Sequence, residues 1–180
     1  MSYSFDKTGH DKPEVLIAPI SIDNFIEFIV AAHRETFRIT FGSDITDEFL
    51  DKELARTRTV STNDENAVIG VFTENELAGH AVLETRIIAG DGLHGWIHFY
   101  YVAPQFRRHG IGARLVRYSV EYFTTLGLTE FYLRTGENNK VAQEFYLRTG
   151  FFRVPEGDKT GPSGVGELMM GKKFNSRADD

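Results

Sequence analysis

The stretch VAPQFRRHGIGARL, residues 102–115, closes a run of aromatic and β-branched residues and opens an apolar helical pattern. Pro104 ends the strand-like segment WIHFYYVAP (96–104). Beyond it Ile111, Leu115, Val116, Tyr122, Phe123 and Leu126 recur at the spacing of a buried helix face, and Gly127 stops the pattern. A strand that passes through a glycine turn into a helix N-terminus can hold an anion. The first-turn N–H groups have no intrahelical acceptor, the helix dipole adds positive potential, and glycine lets backbone approach a ligand closely. Common nucleotide motifs do not fit. No Gly-Lys-Ser/Thr ending is present, and Leu115 stands where a dinucleotide fingerprint needs its third glycine. Spacing alone leaves an ordinary strand-to-helix turn equally open.

Working outward, EVLIAPI (14–20) reads as a strand with Val15, Ile17 and Ile20 inward. A helix follows over 22–37, capped by Ser21 or Asp23, with Phe25, Phe28, Ile29 and Ala32 on one stripe. Gly42 and Ser43 break it. A second helix spans 46–60, capped by Thr46 or Asp47, with Phe49, Leu50 and Leu54 inward. Residues 66–75 and 76–89 form a hairpin that turns at Glu74 to Glu76. After the flexible connection AGDGLHG and the strand 96–104 come a helix over 110–126, a strand over 129–135 and a helix over 138–150 stopped by Gly150. Strands over 151–154 and 166–174 flank the glycine-rich EGDKTGPSGVG. The order predicts an α/β fold of seven strands. The early strands pair antiparallel, and the unit from 96 to 135 needs a parallel crossover, giving a mixed sheet with helices on both faces.

A chain of 180 residues with 41% hydrophobic residues can bury one core. We expect a flexible N-terminal segment (1–13), a single domain (14–174) and a polar tail (175–180). Twenty basic against 26 acidic residues give a net charge of −6, which argues against non-specific nucleic-acid binding. That acidity serves solubility or attracts cationic molecules. The absence of cysteine excludes disulfides, thiolate zinc sites and cysteine nucleophiles, and no metal is expected. No apolar run approaches the ~20 residues of a membrane span, so we expect no membrane partner and a cytoplasmic location.

Two stretches carry a family resemblance. Val102, Pro104, Arg107, Gly110 and Gly112 resemble the acetyl-CoA signature of the GNAT (Gcn5-related) N-acetyltransferase superfamily. Downstream, NKVAQEFYLRTGFF resembles its second signature through Asn139, Ala142, Phe145, Tyr146, Gly150 and Phe151. The resemblance implies a mostly antiparallel sheet whose parallel central pair splays apart, with acetyl-CoA as co-substrate. Its pyrophosphate would lie on the backbone amides of Arg108, His109, Gly110, Ile111, Gly112 and Ala113. Its pantetheine arm would run along Val102 and Ala103, beside Asn139, Ala142 and Phe145. The Val102 N–H would polarise the acetyl carbonyl, and Tyr146 would protonate the leaving thiolate.

Relatives often carry a glutamate four residues before the valine; here the position is His98. A histidine suits a general base, because its ordinary pKa is near neutrality. His98 reads equally as a hydrated strand residue, and His80 and Glu84 are rivals. Transfer is expected to be direct, to a primary amine in a ternary complex. The acceptor wall would come from ETFRITFGSDITDEFL (35–50) and the loop 159–166. This region and ELMMGKKF (167–174) are similar, more loosely, to polyamine-acetylating bacterial members. Asp44, Asp47, Glu48 and Asp51 would attract a polycation, or simply form a solvated helix start. A peptide or protein amine acceptor, and a non-catalytic acyl-CoA sensor, are the alternatives. The aromatic C-terminal strands make a homodimer plausible.

Overall fold

The computed structural model describes residues 14–88, 92–161 and 164–174. The expected N-terminal segment, the polar tail, and parts of the 89–95 connection and the 159–166 loop lie outside them. Along the chain run β1 (Val15–Pro19), α1 (Ile26–Phe41), α2 (Asp47–Asn63), β2 (Val68–Thr73), β3 (Glu76–Ile87) and β4 (Leu93–Val102). Then come α3 (Ile111–Thr125), β5 (Glu130–Gly136), α4 (Lys140–Arg148), β6 (Phe152–Arg153), β7 (Lys159–Thr160) and β8 (Gly166–Lys173). The strands form one sheet in the order β1-β2-β3-β4-β5-β8-β6, and β7 pairs with β8. All pairs are antiparallel except β4 with β5. The sheet therefore has eight strands where periodicity gives seven. The extra one, β7, is two exposed residues inside the glycine-rich segment, too short to show any alternation.

Local chemistry accounts for most boundaries. Thr46 caps α2 by accepting from the Phe49 N–H, and Gly42 ends α1 in the left-handed conformation at φ 72°. Ser21 and Asp23 do not cap the first helix. A 3₁₀ turn (Ile22–Phe25) precedes α1 without a side-chain cap, and Asp23 pairs instead with Arg58 at 2.9 Å. Glu74 and Asn75 both take positive φ, as a tight hairpin between β2 and β3 requires.

Two apolar layers cover the sheet. One joins Leu115 and Phe123 of α3 and Tyr146 of α4 to Ile97, Phe131 and Leu133. The other joins Ile29 and Ala32 of α1 and Leu50 and Leu54 of α2 to Val82, Phe99 and Tyr101. Full burial of each large apolar side chain contributes roughly 1.5–3 kcal/mol.

Two irregularities in β4 shape everything that follows. Its pairing with β5 covers only Gly95↔Phe131, Trp96↔Tyr132 and Ile97↔Leu133, although both strands continue. From residue 98 onward the two strands part. On the other edge, Leu83 faces Ile97 and Val82 faces Phe99, leaving His98 as the extra residue of a β-bulge. A bulge breaks the alternation of side chains. His98 and Phe99 consequently both face α1 and α2.

Candidate active site

The open end of the splay is bounded by backbone that has lost a partner. The Ala103 N–H donates to Ala78 on β3 at 2.9 Å, so extended geometry turns the Val102 N–H and C=O to the opposite edge, where β5 has departed. The Val102 carbonyl there accepts from Arg107 Nε at 2.8 Å, and Arg107 also donates to Glu35 of α1 at 2.6 Å. The Arg107 guanidinium is thus committed to anchoring its own loop. Glu35 accepts in addition from the Tyr101 hydroxyl at 2.5 Å. Five residues along α1, Thr40 packs against Gly136 of β5. Helix α1 therefore bridges the two diverging strands.

Beyond Arg107 the loop takes two left-handed turns, at Arg108 (φ 70°) and Gly110 (φ 81°), before α3 begins. Gly110 occupies the N-cap position without a side-chain hydrogen bond, so no side chain caps the first turn of α3. A Cβ on Gly110 would meet nothing within 4 Å. The amides of His109, Gly110, Ile111, Gly112 and Ala113 belong to this turn, whereas the Ile111 side chain is buried in the core. Gly112 is glycine for a packing reason: a Cβ there would lie 2.9 Å from Cζ of Phe145. The two signature stretches meet at this contact. Asn139 caps α4, its Oδ1 accepting from the Ala142 N–H at 3.2 Å, which leaves its Nδ2 as a donor.

Tyr146 and His98 face opposite sides of the sheet. Tyr146 lies in the α3 layer, 8% exposed, its ring 5.1 Å from that of Phe151. Burial holds its phenol well above the usual range, so it stays protonated at working pH. On the same face the Tyr100 hydroxyl bonds the Leu115 carbonyl and Ser119 Oγ.

His98 belongs to a polar network that the sequence did not assemble. Its Nε2 contacts Glu53 Oε2 of α2 at 2.6 Å, and its Nδ1 lies 3.3 Å from Arg86 and 3.4 Å from Glu84. Arg56 holds both Glu84 oxygens at 2.9 Å. Burial pushes the Glu84 carboxyl up, but Arg56 and its other partners hold it below the ordinary value. Arg86 stacks over Trp96 at 4.3 Å, with Arg134 at 5.1 Å from the same ring. Of the rival bases, His80 is fully buried, its Nδ1 bonded to the Ile69 carbonyl, and desolvation drives its pKa to about 3. Such a group stays neutral and out of reach. Glu84 is fully engaged by Arg56. Glu53 and Glu35 escaped the sequence reading, although a signal existed for the first: Glu53 interrupts the inward stripe Phe49, Leu50, Leu54 of α2. The expected acidic lure is largely neutralised, since Asp44 pairs with Arg38, Asp47 with Arg34 and Glu48 with Lys52. Among the described residues no helix is long and apolar enough to cross a membrane.

The acetyltransferase (GNAT) family model matches residues 26–151. Aminoglycoside N(6')-acetyltransferase type 1 of Klebsiella aerogenes is 31% identical over 112 residues, covering 61% of this chain and 69% of that protein. The chloroplastic GCN5-related N-acetyltransferase 6 of Arabidopsis thaliana is 38% identical over 68 residues, 38% of this chain but only 24% of its own length. Two solved structures share the fold. The PaiA N-acetyltransferase of Thermoplasma acidophilum, in complex with coenzyme A, has a TM-score of 0.65 at 22% identity, covering 89% of this chain and 99% of that one. The NatC complex bound to Gag peptide and CoA gives 0.66 at 18% identity, covering 90% and 99%. With a family match over most of its length and a strand pair splayed beside an uncapped helix, the chain belongs to the GNAT acetyltransferase family and is an N-acetyltransferase.

Proposed function

We propose that the protein transfers an acetyl group directly from acetyl-CoA to a primary amine of a small molecule, within a ternary complex formed on one domain (14–174). The observation that carries this reading is the parting of β4 from β5 after Ile97↔Leu133, with the uncapped α3 N-terminus at its open end. The amides of Arg108, His109, Gly110, Ile111, Gly112 and Ala113 hold the pyrophosphate. The pantetheine arm runs along the freed edge at Val102 and Ala103, where it pairs like an added strand, with Asn139 Nδ2 as a donor and Ala142 and Phe145 flanking it.

The chemistry needs two proton movements on opposite sides of the thioester. His98, on the α1 and α2 face, takes a proton from the substrate ammonium. The free amine attacks the acetyl carbonyl, whose developing oxyanion accepts from the Val102 N–H. The C–S bond then breaks, Tyr146, on the α3 face, gives its proton to the thiolate, and the second proton shed by the amine nitrogen returns through solvent to Tyr146. The products are the acetamide, free CoA and one proton. With no cysteine in the chain, no thioester acyl-enzyme intervenes.

For the acceptor we favour a small molecule with several amines, polyamine-like in charge. The aminoglycoside-modifying relative supports a small substrate, whereas the neutralised acidic cluster gives a polyamine no special attraction. The peptide-bound NatC neighbour supports the alternative of a peptide amine. A panel of spermidine, an aminoglycoside, free amino acids and N-terminal peptides separates these by kcat/KM. Turnover with peptides alone would overturn the small-molecule reading, and acetyl-CoA binding without turnover on any amine would favour a sensor.

A further inference from the structure

The bulge at His98 and the stripe of α2 bring an imidazole and a carboxylate together from positions 45 residues apart. The 2.6 Å contact to the Glu53 carboxylate, which only accepts, calls for a proton on Nε2. Arg86, which carries only donors, then finds an acceptor in Nδ1 of the neutral ring; Glu84, 3.4 Å from the same nitrogen, is held by Arg56 through both oxygens. The proton of the neutral ring then resides on Nε2, aimed at Glu53. We propose that Glu53 is a positioning residue for catalysis: it fixes His98 in the Nε2–H tautomer and stabilises the imidazolium formed when Nδ1 takes the amine proton. This rests on His98 acting as the base.

The surroundings make the arrangement specific. From α1, His33 stacks on Phe99 at 4.1 Å and is 4% exposed, neutral by burial, so it adds no charge. From α2, Arg56 is occupied by Glu84. From β3, His80 is buried and neutral, and Arg86 covers Nδ1 at only 3.3 Å while shared with Glu84 and Trp96. From β5, Arg134 lies over Trp96 and donates to the Gly157 carbonyl. Glu53 is therefore the anion in closest contact with His98. Burial pushes its carboxyl up, and the hydrogen bond and charge of His98 hold it down, so it is ionised at neutral pH. An ammonium that displaces Arg86 from Nδ1 replaces one cation by another, so the net charge beside Glu53 and Glu84 is unchanged.

The test uses the pH profile of kcat/KM. Glu53→Gln keeps the shape and an acceptor for Nε2–H but removes the charge. Loss of an opposite charge at this range shifts a partner by roughly 1–3 pH units. The rising limb should move to lower pH by at least ~1 unit, with acetyl-CoA affinity unchanged. Glu53→Ala should lower kcat by ~10-fold or more, within the range that base catalysis supplies. An unmoved limb in Glu53→Gln, in an enzyme whose limb is flattened by His98→Ala, would overturn the positioning role alone. An unmoved limb in His98→Ala would overturn the base assignment beneath it. Should either Glu53 variant fold poorly, imidazole ¹⁵N chemical shifts of the wild-type protein decide the matter. A single Nε2–H tautomer for His98 supports the inference, and an Nδ1–H or averaged ring contradicts it.

Discussion

Replacing Gly112 by alanine adds one methyl group at a known collision. That carbon would lie 2.9 Å from Cζ and 3.0 Å from Cε2 of Phe145, whereas carbon pairs prefer about 3.5–4.0 Å. The ring must retreat by roughly 0.5–1 Å, and such overpacking costs about 1–3 kcal/mol. Replacing glycine in a helix returns about 0.5–1 kcal/mol. The net loss should be about 0.5–2 kcal/mol, which for a chain of this size lowers Tm by roughly 2–6 °C. Because Phe145 belongs to α4, its retreat also disturbs the fit between the two signature segments, and acetyl-CoA affinity should fall with stability. Thermal unfolding and acetyl-CoA titration of Gly112→Ala, Phe145→Leu and the double variant form a cycle. Leucine at 145 vacates the ring edge, so the alanine should cost less there, with a coupling of at least ~0.5 kcal/mol. Gly110→Ala serves as the control. Its Cβ meets nothing, its cost is the left-handed backbone, roughly 1–2 kcal/mol, and leucine at 145 should not relieve it. If the Gly112 and Phe145 effects simply add, the packing explanation for this glycine is wrong.

Tyr146→Phe should fold normally, since its hydroxyl makes no hydrogen bond among the described residues and the ring keeps its packing. It should bind acetyl-CoA as wild type does and lose roughly 10- to 100-fold in kcat, the low end of acid catalysis for a good leaving group; wild-type kcat would reduce Tyr146 to a core residue. The buried imidazoles set an acid limit to stability. Their folded pKa values, about 4 for His33 and about 3 for His80, lie below the ordinary 6.5. The unfolded chain therefore binds these protons first. Stability should be full above about pH 6.5 and fall as pH drops from there toward 4 and 3, by up to ~1.4 kcal/mol per pH unit for each ring. Urea unfolding from pH 7 to 4.5 measures that slope, and His80→Leu should reduce it by about one proton; an unchanged slope would show that His80 is not the group being titrated.

The sequence exposes what is local or repeated. The periodicity of Ile111, Leu115 and Phe123, the Gly42, Gly127 and Gly150 stops and the Thr46 cap are each decided within one or two turns of chain, and they carried the fold. The signature residues at 102–112 and 139–151 marked the two segments that meet at Gly112 and Phe145, but not the contact itself. What stayed hidden depends on register or on distant pairing. A one-residue bulge at His98 reverses which face the following side chains occupy, and nothing in WIHFYYVAP announces it. Arg107 stood out only as a signature residue; its partners, Glu35 and the Val102 carbonyl, are set by how α1 crosses the splayed strands. Glu53 meets His98 only because α2 packs over β3 and β4. β7 exists because β8 offers an edge, since its own two residues carry no preference strong enough to read.

The most direct measurement of the central claim is CoA thiol release when the protein is mixed with acetyl-CoA and one primary amine at a time, followed by mass analysis of both amine and protein. Thiol should be released only when a suitable amine is present, with one acetyl group gained by that amine for each thiol released and the protein left unmodified. Thiol release that leaves the acetyl group on the protein, or acetyl-CoA binding with no amine acetylated across all the classes tested, would contradict that claim.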